Sequence, residues 1–137
     1  RESRRVITEY VMGIEDILGY RKFSDGIAAS RYPVDVHGED DVSLGLKYDD
    51  TVPENERYWE VPFRVLVAKG MDNLLVAGRC AGMDFKAQSA ARIQPICRSM
   101  GEAAGIAAAM AVKEDTVCLK KLDGALIRRE IKLPESF

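Results

Sequence analysis

The chain has 137 residues, 47% of them hydrophobic and 31% charged, and 20 basic against 22 acidic residues leave a net charge of −2. That length holds one domain and one core, or a piece of something larger, and the charge balance argues against a nucleic-acid-binding face, which needs a strong basic excess. No apolar run approaches a membrane span, and no basic start followed by an apolar stretch marks a signal peptide.

The chain opens on "RESRRVITEY" without a Met and reads straight into a strand at "RVITEYVM", residues 5–12, rich in β-branched and aromatic side chains. The expectation is a truncated chain whose targeting information is absent. In "GIEDILGYRKF", residues 13–23, Ile14, Ile17 and Leu18 fall at helical spacing and predict a short helix. "DGIAASRYPVDVHG" returns to extended structure with Pro33 at an edge or bend, completing a strand-helix-strand unit. Residues 38–57 are acidic and without a sustained period, so the organisational boundary falls there.

"YWEVPFRVLVAKG" alternates: Trp59, Val61, Phe63, Val65 and Val67 face one way, with Tyr58, Glu60, Pro62 and Arg64 opposite. "LLVAGRC" has no polar alternation and predicts a strand covered on both faces, as in the middle of an α/β sheet. After a small-residue connection, "AGMDFKAQSAARIQ", a helix is expected from about Pro95 to Lys113, with proline in the first turn. Asp123 then predicts an N-cap for a last amphipathic helix that turns Leu126 and Ile127 inward. Arg4-Arg5 and Arg128-Arg129 read as short solvated pairs.

The three cysteines, Cys80, Cys97 and Cys118, fit neither a CxxC nor a zinc pattern, and His37 is the lone histidine. Buried free thiols in a reducing, cytoplasmic compartment are the expectation, with no metal site. On the helix, Gly101, Gly105 and Ala108-Ala109 form a nearly smooth strip. Since a helical glycine costs about 1 kcal/mol relative to alanine, the strip predicts a very close neighbour. That neighbour is a packed sheet or helix, or a flat or anionic ligand seated at a helix N-terminus. Gly78 ends a strand where ligands of open α/β sheets sit, and Arg79 adds a fixed positive fork.

"YWEVPFRVL", "KGMDNLLVAGRCAG" and "AARIQPICRSMGEAAGIAAAMA", taken in order, resemble the C-terminal signature of FAD-dependent oxidoreductases. The resemblance is to flavoproteins with a glutathione-reductase-type FAD fold, to which fumarate reductase flavoprotein subunits are related, and "RESRR" and "YPVDVH" extend it. It implies an α/β fold (α+β in the piece present): a strand-helix-strand unit followed by two strands and two helices. Residues 1–45 would end the substrate-facing part, 46–57 form a loop, and 58–137 return to the FAD-binding domain.

The resemblance also implies site residues. Gly78, Arg79, Cys80 and Ala81 would lie near the ribityl and pyrophosphate of FAD. Ala91, Arg92, Ile93 and Gln94 would approach the pyrimidine edge of the flavin, where helix N–H groups favour negative charge. Arg92 would add a full positive charge with a catalytic role, a structural ion pair being the competing reading. His37, suited to proton transfer near neutral pH, is the other catalytic candidate, against a structural role beside Asp35. Arg4 and Arg5 are substrate-binding candidates.

The family's glycine-rich GxGxxG loop is nowhere in the sequence. The chain is therefore expected to be the C-terminal portion of a longer flavoenzyme, inactive alone, with the missing N-terminal part and a small-molecule substrate as its partners. The competing readings are a non-catalytic α/β interaction module and a homo-oligomer formed through sheet surface.

Overall fold

A computed structural model describes residues 4–35 and 51–133. Helix α1 (Ile14–Leu18) is a single turn and needs help to form. Asp16 supplies part of it by accepting from Gly13 N at 3.0 Å, and Asp84 the rest by accepting from Ile14 N at 2.8 Å. Asp84 is also the N-cap of helix α2 (Phe85–Ala91), accepting from Ala87 N at 2.7 Å. One carboxylate thus serves the starts of two helices. Helix α2 falls where a plain connection is expected from the sequence, because its large residues are few and its core contacts are alanines.

Strands β1 (Gly26–Ser30) and β2 (Trp59–Pro62) pair antiparallel, with Ala28 opposite Val61 and Ser30 opposite Trp59, and a bulge between Gly26 and Ala28. The expected alternation in β2 does not hold, since all four of its residues are buried. Glu60 is completely enclosed beneath helix α4 (Gly124–Ile131), where Arg128 meets its carboxylate. Arg128 is accordingly not a solvated surface residue.

Neither "RVITEYVM" nor "LLVAGRC" forms a regular strand. Residues 6–12 run extended between two partners: Glu9 N donates to Val67 O and Lys69 N to Ile7 O on one side, Val6 N to Cys80 O and Met12 N to Gly82 O on the other. A Cβ at Gly82 would sit 2.9 Å from the Tyr10 carbonyl oxygen, so only glycine admits this approach. Leu75 makes a single bridge to Val67, and Leu74 is 37% exposed, so this run is covered on one side only. The prolines and short turns interrupt what the apolar pattern suggests. A 3-10 turn at Phe63–Val65 directly follows Pro62.

Helix α3 (Gln94–Lys113) has the expected bounds and a proline in its first turn. Its buried face is Ile96, Met100, Ala103, Ala107 and Ala111, laid against β1 and α4. The smooth strip faces the other way. A Cβ added at Gly101 or Gly105 would meet nothing within 4 Å among the described residues. In α4, Asp123 caps as expected, accepting from Ala125 N at 2.9 Å, while Ile127 is buried and Leu126 stays 37% exposed. One core joins these elements, with Trp59, Met12, Ile17, Ile27, Leu66, Met100 and Ile127 its largest fully buried side chains. Trp59 keeps its indole N–H satisfied at the Tyr32 carbonyl, 3.1 Å away.

Candidate functional site

The turn Gly78–Cys80 is a single 3-10 turn entered from extended Ala77. Gly78 has φ of 77°, the left-handed region that side chains with a Cβ avoid. The carbonyls of the turn are all engaged: Ala81 N donates to Gly78 O, the Gln88 amide to Arg79 O, and Val6 N to Cys80 O. The backbone is therefore fixed while the Arg79 side chain is left at the surface.

Gln88, itself buried on α2, connects this turn to the next segment, since its carbonyl accepts from Arg92 N at 2.9 Å. Arg92 ends α2, and Ile93 is the extended N-cap of α3. Ile93 has no side chain able to cap, so the first turn of α3 keeps N–H groups available to a polar neighbour. Cys97, one turn into α3, closes the joint. Its Sγ lies 3.5 Å from Arg92 O, and both its Cβ and Sγ would stand 3.9 Å from a Cβ at Gly78. Burial pushes the Cys97 thiol up from its ordinary pKa, while the Arg79 charge opposes that rise.

The two sets of expected residues, 78–81 and 91–94, thus meet at one place. Within them Ala81 and Ala91 are buried, so they offer shape rather than polar side chains. Arg92 Nη2 donates to the Asp35 carbonyl at 3.3 Å, which brings the end of the first described segment to the same joint. His37 lies outside the described residues. Arg5 sits beside residues 80–84, with its guanidinium on Met83 O, and lines a shallow cleft of about 460 Å³ with Val6, Ile7, Val11 and Asp84. Arg4 is exposed.

Gln88 and Asp84 are positioning residues that the sequence did not single out, and Cys97, expected there as a buried free thiol, is half-buried and is a third. Asp84 immediately before Phe85 is an N-cap residue type at a helix start, and that signal could have located α2. Gln88 carries no such mark. Among the described residues no group of three or more His, Cys, Asp or Glu is placed to hold a metal ion, and no helix is long and apolar enough to cross a membrane.

The joint fits an elongated anionic cofactor on three grounds: a glycine held in a left-handed conformation, an arginine beside it at the surface, and an uncapped helix start facing the same place. A family model described as FAD dependent oxidoreductase matches residues 1–131. No curated protein and no solved structure matches the chain.

Proposed function

The chain belongs to the FAD dependent oxidoreductase family, and we propose that residues 78–81 and 91–94 form one side of an FAD seat in an enzyme acting on a small-molecule substrate. The observation that carries this reading is the packing of the left-handed Gly78 turn against the start of α3 through Gln88 and Cys97. When bound, FAD supplies hydride acceptor and donor chemistry. The chain's own residues supply position and charge. Arg79 would hold the phosphate-bearing part, and the uncapped first turn of α3 with Arg92 would favour negative charge beside the flavin.

Within this reading the chain resembles flavoproteins with a glutathione-reductase-type FAD fold, to which fumarate reductase flavoprotein subunits are related. Residues 1–45 are assigned to the substrate-facing part, 46–57 to a connection and 58–137 to the FAD-binding domain, of which 1–3, 36–50 and 134–137 lie outside the described residues. The division is by role rather than by packing, because Ile17 and Ile27 share a core with Val65 and Met100. Arg4, Arg5 and His37 are assigned to the substrate, His37 as proton donor on imidazole chemistry alone. The free cysteines support a cytoplasmic setting.

The visible absorption spectrum of the purified natural protein, before and after heat release of any chromophore, tests the proposal. Flavin bands with free FAD in the supernatant support it. A colourless protein that takes up no added FAD overturns it and leaves a non-catalytic α/β module.

A further inference from the structure

We propose that the cleft between the segment at Glu9 and the start of α4 binds a small zwitterion, an α-amino acid with an apolar side chain. The cleft has a volume of about 540 Å³, a size that suits a small molecule. Phe63, Val67 and Leu122, all buried, form its apolar part. Charges of both signs surround them, Arg64 and Lys120 against Glu9, Asp25 and Asp123. None of residues 78–81 or 91–94 lines it, so the proposal stands apart from the FAD seat.

Direct contacts hold these groups around one space. Glu9 N donates to Val67 O at 2.9 Å and Tyr10 N to Arg64 O at 3.4 Å, which sets Glu9 beside Arg64. Arg64 Nε donates to Asp25 Oδ2 at 2.9 Å and Nη2 to Oδ1 at 3.2 Å. The same guanidinium lies 5.1 Å from the centre of the Tyr10 ring, so its orientation is fixed from two sides. The start of α4 closes on Asp25, since a Cβ at Gly124 would fall 2.5 Å from the Asp25 Cβ.

These contacts leave a definite set of groups for a ligand. Arg64 neutralises Asp25 yet keeps Nη1 without a partner among the described residues, on a side chain that is half exposed. Lys120 reaches only Asp72, at 3.5 Å and in solvent, a pair that is easily exchanged. Glu9 pairs with no cation among the described residues, because its neighbour Arg64 turns to Asp25 instead. Asp123 engages Oδ1 with Ala125 N and has Oδ2 to offer. An anion alone would be set beside Glu9 and Asp123, and a cation alone beside Arg64 and Lys120. A zwitterion meets both signs, with its carboxylate on Arg64 and Lys120 and its ammonium on Glu9 and Asp123. Its side chain then covers Phe63 and Leu122.

The test is an NMR titration of the full chain with L-leucine, read at the backbone amides. Three further probes each lack one feature: N-acetyl-L-leucine the ammonium, L-leucinamide the carboxylate and glycine the side chain. Leucine is expected to shift the amides of Glu9, Arg64 and Gly124, and each other probe to bind about tenfold more weakly, the order of one charge-assisted hydrogen bond or one covered side chain. Glu9→Gln should weaken leucine by about tenfold without weakening N-acetyl-L-leucine, and Lys120→Gln should weaken leucine without weakening L-leucinamide. Both residues are exposed, so an unchanged melting temperature shows that each variant keeps its fold. No shift at millimolar leucine, shifts confined to another face, equal affinity for leucine and its blocked forms, or full affinity in Glu9→Gln overturns the proposal.

Discussion

Arg128 reaches Glu60 through two parallel hydrogen bonds, Nη1 to Oε2 and Nη2 to Oε1, each 2.9 Å long. Phe23 N donates to the same carboxylate at 2.8 Å, and Glu60 is fully buried. The pair joins α4 to β2 across the turn before β1. Gly26 leaves it room, because a Cβ there would fall 2.5 Å from Glu60 Oε2.

Truncating Arg128 leaves that carboxylate buried and uncompensated. Arg128→Ala is expected to lose about 3–5 kcal/mol of stability in urea unfolding, the usual range for breaking a buried pair. The double variant Glu60→Met with Arg128→Met should recover part of the loss. It cannot recover all of it, since Phe23 N then loses its acceptor. A double variant no more stable than Arg128→Ala would show that the pair does more than neutralise itself.

Gly78→Ala separates conformation from space. The position is open, with nothing nearer than 3.9 Å to an added Cβ, so its cost comes from φ of 77° alone. A loss of about 1–2 kcal/mol is expected, together with weaker FAD uptake as the turn relaxes. Arg79→Ala is the complement. The Arg79 carbonyl, not its side chain, is what Gln88 holds, so stability should move by less than about 0.5 kcal/mol. FAD affinity should fall by about tenfold, the order of one charge-assisted hydrogen bond. Fluorescence titration reads both, and an unchanged affinity in Arg79→Ala would remove Arg79 from the seat.

Gly101 and Gly105 test the strip on α3. Since no described residue approaches either position, alanine there relieves the backbone without a clash. Each substitution should stabilise the helix by about 0.5–1 kcal/mol, seen as a higher melting temperature. Destabilisation by either would reveal a close neighbour on that face.

The strip also shows what sequence reading reaches and where it stops. Periodicity located α1, α3 and α4 because each carries large apolar residues, or a cap, at fixed spacing: Ile17, Met100 and Asp123 are examples. The pairing of residues 78–81 with 91–94 came from the family resemblance instead; the residues by themselves marked only Gly78 and Arg79, at the end of an apolar run. Periodicity did not say which face of α3 is covered, because small residues line both. Ala103 and Ala107 face the core while Ala108 and Ala109 face out. Nor did alternation reveal that Glu60 is buried, because its partner Arg128 lies 68 residues further along the chain. Strand continuity failed for a local reason. The interruptions at Phe63–Val65, directly after Pro62, and at Gly78–Cys80, on the left-handed Gly78, are local 3-10 turns that an apolar run does not encode.

Cys97 gives the pH dependence a definite sign. Burial is the main cause raising its pKa above the ordinary value of 9.0, with Cys80 adding to the rise and Arg79 opposing it. The folded protein therefore keeps this thiol protonated at pH values where the unfolded chain has begun to lose the proton. Below 9.0 the contribution to stability is fully present, and it is lost as pH rises through the higher folded pKa. In a Cys80→Ser/Cys118→Ser variant, ultraviolet thiolate absorbance should show a native midpoint above 9.0 and a return toward 9.0 in urea. Arg79→Ala in that background should move the native midpoint higher still, because it removes the nearby positive charge. A native midpoint below 9.0 would mean that the arginine outweighs burial.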